Sequence, residues 1–312
     1  MNIFTLKVSS PQSHQRLDLF ILKFTQERKL GFSRVFIKQL IMEGQVRLKG
    51  QEVRKPHYKV KVGEEWHVRV KEQKVAELSA EDIQLEVVYE DEDLAVINKP
   101  AGLVVHPAPG NPKHTLVNAL LNRFQHLSNI NPARPGIVHR LDKETSGLLV
   151  IAKNNFTHLA LTEQFASHTV KRRYVAVVKG KVEFDENVIE MPIGRHPFKR
   201  KNMAVSFLKH AKYAKTHYRT LLRTQEASLL ELEPFTGRTH QLRVHLAYIH
   251  HPILGDKKYG KNDTFARLGL HACLIGFQHP RTKKYVEWSC QTPKEFLKFF
   301  KSRKLKKINL DF

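Results

Sequence analysis

Apolar positions in the first seventy residues follow two different periods. Leu17, Phe20, Ile21 and Phe24 recur at helical spacing on one face, and Ser13 stands where it can cap that helix. Ile37, Leu40 and Ile41 repeat the pattern after Ser33, a second capping candidate, and Gly44 is placed to end the helix. From Val46 the period shortens to two. Val46 and Leu48 alternate with charge, Lys49-Gly50 reads as a turn, and Val60 and Val62 continue as a strand that Gly63 breaks.

Lys71 to Asp82 carries no apolar period and reads as a connection. Beyond it, Ile83 to Val88 alternates, an acidic turn spans Glu90 to Asp93, and Leu94 to Ile97 completes a hairpin. Strand-like runs follow at Gly147 to Ala152, Tyr174 to Val178, Thr216 to Leu222 and Ser228 to Leu232. Helical patterns interrupt them near Thr115 to Phe124, Thr157 to Ala166 and Thr239 to His250. Mixed order with hairpins predicts an α+β fold rather than a regular βαβ series. The expected organisation is a small unit at 13–75, a linker at 76–82, a larger domain at 83–297 and a basic tail at 298–312. The tail reads as frayed, or as an extra phosphate contact.

Charge changes the picture most. The 312 residues hold 53 Lys plus Arg against 30 Asp plus Glu, a formal net charge of +23. An excess that large points to a polyanionic partner, nucleic acid before a membrane surface. No apolar stretch approaches the roughly 18 residues of a spanning helix, and Met1 to Ser10 has no apolar core of signal-peptide length. Cys273 and Cys290 have neither CxxC spacing nor a zinc-like His cluster, which fits a reducing cytoplasm. In the small unit, Arg34 and Lys38 share a helix face, and Arg47, Lys49, Arg54, Lys55, Lys59 and Lys61 follow with few acids between. That clustering predicts a phosphate-binding surface.

Four segments stand apart from ordinary core or surface. Asn98 to Pro107 holds two prolines and a glycine, so a rigid loop is expected. His139-Arg140-Leu141-Asp142-Lys143-Glu144-Thr145-Ser146-Gly147 sets one carboxylate between cations and ahead of a buried strand. In Arg172 to Val178, alternation puts Tyr174 on a face with Ala176 and Val178. In Gly237 to Leu246, Thr239 can cap a helix whose buried stripe is Leu242, Leu246 and Ile249. Arg243 lies about 100° from that stripe, so it can be partly buried and then needs an anion. These segments offer a carboxylate, an arginine and a tyrosine, without a phosphate-cradling glycine loop or a metal cluster.

Two resemblances sharpen this. Ser33 to Ile41 followed by Gly44-Gln45-Val46-Arg47-Leu48-Lys49-Gly50 resembles the S4 RNA-binding domain, with Lys49 where Asn is more common. That implies structured RNA as the partner and Arg34, Lys38, Arg47 and Lys49 as contacts. His139 to Gly147, Arg172 to Gly180 and Gly237 to Leu246 resemble the three motifs of the RluA family of pseudouridine synthases, with Asn98 to Pro107 as the leading motif. The likeness covers roughly residues 83 to 290. Arg281-Thr282-Lys283-Lys284 departs from the family's usual Thr-Gly.

The resemblance implies a mixed, largely antiparallel catalytic sheet behind a small α/β S4 domain. It implies isomerisation of uridine to pseudouridine in RNA, most nearly as in members acting on 23S large-subunit ribosomal RNA, by a monomer without a cofactor. Asp142 then becomes the essential carboxylate, attacking C1′, adding to C6 or assisting a glycal route. Arg243 pairs with it, and Tyr174 stacks on the base or removes a proton. Arg140 fills the space left by the flipped base, with His139 beside it at the RNA. Two other classes compete: a non-catalytic RNA-binding protein, and a glycosidase-like hydrolase, which needs a second placed carboxylate. Glu144 is the nearby acid in the sequence.

Overall fold

The computed structural model describes residues 2–28, 32, 34–70, 78–108, 110–199, 202–260 and 265–301. The chain divides into units at 1–77 and 78–312.

The first unit runs β1 (Asn2–Lys7), α1 (Leu17–Glu27), α2 (Arg34–Met42), β2 (Val46–Leu48), β3 (Gln51–Glu52) and β4 (Glu65–Val70). Its sheet has the order β1-β4-β2-β3. The predicted stripes of α1 and α2 pack with Trp66 and Val68 of β4 in one core. Gly44 ends α2 at positive φ, and Lys49-Gly50 turns the hairpin with both residues at positive φ. Two expectations change. Ser13 does not cap α1: it closes a 3-10 turn at Ser10–Gln12, and α1 starts at Leu17 after Arg16. Asp18 takes over the favourable charge of the first turn. Ser33 lies outside the described residues. The strand expected at Val60 and Val62 falls instead after Gly63, as β4, because Gly63 at φ +82° is a turn leading into the strand. The N-terminal strand β1 was not predicted.

The second unit contains β5 (Glu86–Glu90), β6 (Leu94–Lys99), α3 (Leu116–Arg123), β7 (Ser146–Ala152), α4 (Asn155–Ala166), β8 (Lys171–Lys179), β9 (Glu186–Glu190) and β10 (Ile193–Arg195). It continues with β11 (Met203–Val205), β12 (Lys215–Arg223), β13 (Ala227–Pro234), α5 (Gln241–Tyr248), β14 (Leu270–Gln278), β15 (Tyr285–Ser289) and α6 (Lys294–Lys301). A nine-stranded sheet runs β5-β6-β7-β14-β8-β13-β12-β9, with β15 also on β14. Every pairing in it is antiparallel except β7 with β14. This is the mixed, largely antiparallel α+β sheet the sequence predicts.

Helices cover both faces. Leu116 and Leu120 of α3 pack with Ile97, Leu149 and Ile151, and Leu242 and Leu246 of α5 pack with Ala176, Val178 and Leu232. On the opposite face, Leu161 of α4 packs with Val96, Leu148 and Val150, and Phe296 and Phe300 of α6 pack with Val175 and Val177. Central strands are therefore buried on both sides, so β7 and β14 read as continuous apolar runs rather than alternations. The basic stretch from Lys298 begins inside α6 rather than as a frayed tail, because Phe300 anchors it. Residues 302–312 of that stretch lie outside the described residues.

Register sets the site. Ala272 of β14 is level with Gly147 of β7 on one side and with Tyr174 of β8 on the other. The pairing of β14 with β8 slips between Ala272 and Leu274, leaving Cys273 as a bulge beside Tyr174. Bulges re-aim side chains next to functional sites. Gly147 has φ +113°, and a Cβ there would collide with the backbone of Ala272. Only glycine lets the chain pass from the Asp142 loop into β7 this close to β14.

Candidate active site

The Asp142 loop is held from three sides. Leu141 is buried in the core beneath it. The N–H of Thr145 donates to the Asp142 carbonyl at 3.2 Å, closing a turn. From the Asn98–Pro107 segment, fully buried Lys99 donates its ammonium to the carbonyls of Pro100, Leu103 and Lys143 at 2.8, 2.9 and 3.1 Å. The Gly102 N–H adds a second bond to the Lys143 carbonyl at 2.8 Å. Burial pushes the Lys99 amine down to about 8, against the attraction of Glu144 and Asp142. The leading motif thus clamps the next loop through Lys99 and Gly102.

His139 is tied into the sheet. Its Nε2 accepts the Val150 N–H at 3.0 Å, and its ring stacks on Phe165 of α4 at 4.4 Å. Burial, helped by the charge of Arg172, pushes it down to about 3. This neutral imidazole, tied to β7 and α4, lines the same cavity as Asp142 and Arg140. The flanking cations do not hold Asp142. Lys143 reaches toward Asn111 at 3.5 Å, and exposed Arg140 lines the cavity above.

Arg243 takes that role. Its Nη1 donates to Asp142 Oδ2 at 3.0 Å. It lies on α5 beside the stripe formed by Leu242 and Leu246, and only 3% of its surface is exposed. Its other edge grips Asp256, with Nε to Oδ2 at 2.7 Å and Nη2 to Oδ1 at 2.8 Å. Burial opposes the charge of Arg243, but the bonds and charges of Asp256 and Asp142 outweigh it and hold the guanidinium firmly protonated. Burial likewise raises Asp256, and Arg243 with the N–H groups of Lys258 and Tyr259 more than offsets this. Sequence reasoning missed Asp256. Its signal was indirect: a buried guanidinium has more donors than one carboxylate can satisfy. The helix also starts differently from expectation, at His240 with φ +56°, rather than with Thr239 as cap.

Asp142, Arg140, Tyr174 and Arg243 all line one cavity of about 520 Å³, with Arg172, Arg238 and His240 around them. Burial pushes the Tyr174 phenol up, with Arg172 pulling the other way. Glu144 is exposed and outside this lining. Among the described residues, Asp91, Asp93 and His279 form the one group that could hold a metal ion. Arg281 already pairs with Asp93, and His279 with Asp91, so these charges are committed.

The S4-like contacts divide in two. Arg34 donates two bonds to buried Asp18, and Arg47 pairs with Glu52 at 3.2 Å. Lys38 and Lys49 are exposed. The acids sparse in the sequence between Arg34 and Lys61 are thus supplied partly from α1.

Comparison with known proteins shows the family of the chain. Residues 93–248 match the RNA pseudouridylate synthase family model, and residues 15–65 match the S4 domain. An RNA pseudouridine synthase of Bacillus subtilis (strain 168) is 43% identical over 298 residues, 95% of this chain and 96% of that protein. The ribosomal large subunit pseudouridine synthase D of Zymomonas mobilis is 44% identical over 282 residues, 86% of this chain and 89% of that one. Among solved structures, human RNA pseudouridylate synthase domain containing 1 aligns with a TM-score of 0.56 at 27% identity, over 68% of this chain and 85% of that one.

Proposed function

This chain belongs to the RNA pseudouridylate synthase family, and we propose that it isomerises specific uridines of 23S large-subunit ribosomal RNA, acting as a monomer in the cytoplasm. The observation that carries the reading is the Asp142–Arg243 pair at 3.0 Å, in a cavity rimmed by Arg140, Arg172 and Arg238. The relatives named as ribosomal large subunit synthases support the rRNA target. About 520 Å³ falls within the roughly 300–1,000 Å³ of sites that enclose a small organic ligand, so one nucleotide fits once it leaves its stack.

Pseudouridine formation breaks the N1–C1′ bond, turns the base and joins C5 to C1′. No group is added: C5 loses its hydrogen as a proton, and N1, freed from C1′, takes one up. The carboxylate must stay ionised and fixed while the base turns. Arg243 holds one oxygen of Asp142, and Asp256 holds Arg243, so the acid is set before RNA arrives. Tyr174 presents its ring to the flipped base. Burial keeps its phenol protonated, which favours stacking over proton removal at that hydroxyl. Exposed Arg140 can enter the helix where the base was, offering a planar guanidinium for stacking.

A hydrolase reading requires a second carboxylate facing the sugar. The nearest buried acid, Asp256, has both oxygens on Arg243 and lies outside the cavity lining. Asp142→Asn separates catalysis from binding. It keeps the shape of the side chain, so affinity for a large-subunit rRNA transcript stays nearly unchanged while pseudouridine formation is abolished. Retained turnover would remove Asp142 from its role. Mapping pseudouridines in large-subunit rRNA with and without the gene tests the target, and an unchanged map would overturn it.

A further inference from the structure

Asp142 has two carboxylate oxygens, and Arg243 accounts for only Oδ2. Oδ1 faces His240, whose Nε2 stands 3.8 Å away. His240 sits at the start of α5 in the left-handed region, φ +56°, which a residue with a Cβ adopts at a cost. Its loop is fixed by Gln241, whose side-chain oxygen accepts from Thr236 Oγ1 at 2.7 Å and from the Arg238 N–H at 3.0 Å.

The contacts of His240 favour one tautomer. Its Nδ1 lies 2.6 Å from the hydroxyl of Tyr259. That hydroxyl accepts the Met203 N–H at 2.9 Å. A phenol has one proton to give. Given to Nδ1, it makes Nδ1 the lone-pair nitrogen and leaves the ring's own proton for Nε2, 3.8 Å from the carboxylate of Asp142. A neutral imidazole then carries its proton on Nε2, the atom facing Asp142. Burial keeps the ring neutral despite the pull of Asp142.

We propose that His240 is a positioning residue: its Nε2–H, set by Tyr259, holds Oδ1 of Asp142 while Arg243 holds Oδ2. The inference rests on the reading of Asp142 as the essential carboxylate. Hydrogen bonds of this kind are often long before substrate binds and shorten in the reacting complex. Asp256 ties the two arms together. It grips Arg243, and its Oδ1 accepts the N–H of Lys258 at 2.8 Å and of Tyr259 at 3.1 Å. One buried carboxylate thus presents Arg243 to one oxygen of Asp142 and, through Tyr259, His240 to the other.

Turnover is read by tritium release from an unmodified large-subunit rRNA transcript labelled with [5-³H]uridine. His240→Leu should lower kcat at least tenfold with transcript Kd unchanged. His240→Gln keeps an N–H donor near Nε2 at the same backbone strain, and should restore most of the loss. Tyr259→Phe removes only the hydroxyl and should lower kcat by a smaller factor. Equal losses in the Leu and Gln variants, or wild-type kcat in both the Leu and Phe variants, would overturn the proposal. A second measurement is independent of turnover. ¹⁵N NMR of labelled histidines should find His240 protonated at Nε2 in the wild type and at a mixture of both nitrogens in Tyr259→Phe. Protonation at Nδ1 in the wild type overturns the inference even in an active enzyme. Absence of tritium release alongside the expected tautomer overturns the rRNA reading alone.

Discussion

Lys99 is the residue whose chemistry was least visible in the sequence. In the sequence it is one polar residue of the loop expected at Asn98 to Pro107, with no pattern to mark it for burial. In the fold it is fully buried, and its three donors meet three carbonyls rather than a carboxylate. Replacing it with methionine leaves those carbonyls without a donor, so Lys99→Met should cost about 1–3 kcal/mol for the groups left unsatisfied. Denaturant titration measures this, and turnover should fall as well because Lys143 adjoins Asp142. The pH dependence has a definite sign. Burial brings the folded amine to about 8, below an unfolded value near 10.4. Between these values the unfolded chain binds more protons, so the fold gains stability as pH rises, by at most about 1.4 kcal/mol per pH unit. The methionine variant should lack that gain, and parallel stability curves for the two proteins from pH 8 to 10 would refute the assignment. Asp256 was hidden for a related reason. It is 13 residues beyond Arg243 in a stretch without periodicity, and only the path of the chain brings the two together.

At the scale of elements, the passage from the Asp142 loop into β7 depends on Gly147. A Cβ there meets the Ala272 backbone, and φ +113° is strained for any other residue. Gly147→Ala should destabilise the protein by about 2–4 kcal/mol, and at temperatures where it remains folded the displaced loop should lower turnover. A midpoint in denaturant equal to that of the wild type would show that β7 and β14 part without cost. Gly147 was legible because a glycine at the head of an apolar run marks a turn or a close backbone approach. The helices α1 to α5 were legible from their helical patterns, β5 and β6 from the expected hairpin, and β7, β8, β12 and β13 from their runs. Several other elements were not. Strands β10 and β11 have three residues each, too few to show a period. β14 is buried on both faces, so it lacks the alternation that marks a half-buried strand. In α6 the charges of Lys294, Lys298 and Lys301 mask the anchors Phe296 and Phe300. The motif residues were legible one by one, whereas their meeting depended on β14 lying between β7 and β8, which no local pattern reports.

For the whole molecule, the question is how much of its charge reaches RNA. Many cations are already engaged: Arg16 and Arg34 with Asp18, Arg47 and Arg54 with Glu52, and Arg123 and Lys153 with Glu90. Here one acid commonly serves two cations, so such pairs spread each negative charge over more of the basic surface. They leave the excess of 23 positive charges intact. Acids hold arginines in place, while the net field still attracts a polyanion. Binding should therefore be driven largely by release of counterions from the RNA. If about eight phosphates are neutralised, the logarithm of the association constant should fall against the logarithm of salt concentration with a slope of about −6 to −7. Filter binding or fluorescence anisotropy on a large-subunit rRNA transcript, over a range of salt, gives that slope directly. Removing the charge of exposed Lys38 or Lys49 should make it shallower by about 1 if each contacts a phosphate. Arg34 and Arg47 already answer to Asp18 and Glu52, so replacing them should disturb the fold of the first unit as well as the slope. A slope near zero would mean that the basic surface serves something other than RNA affinity.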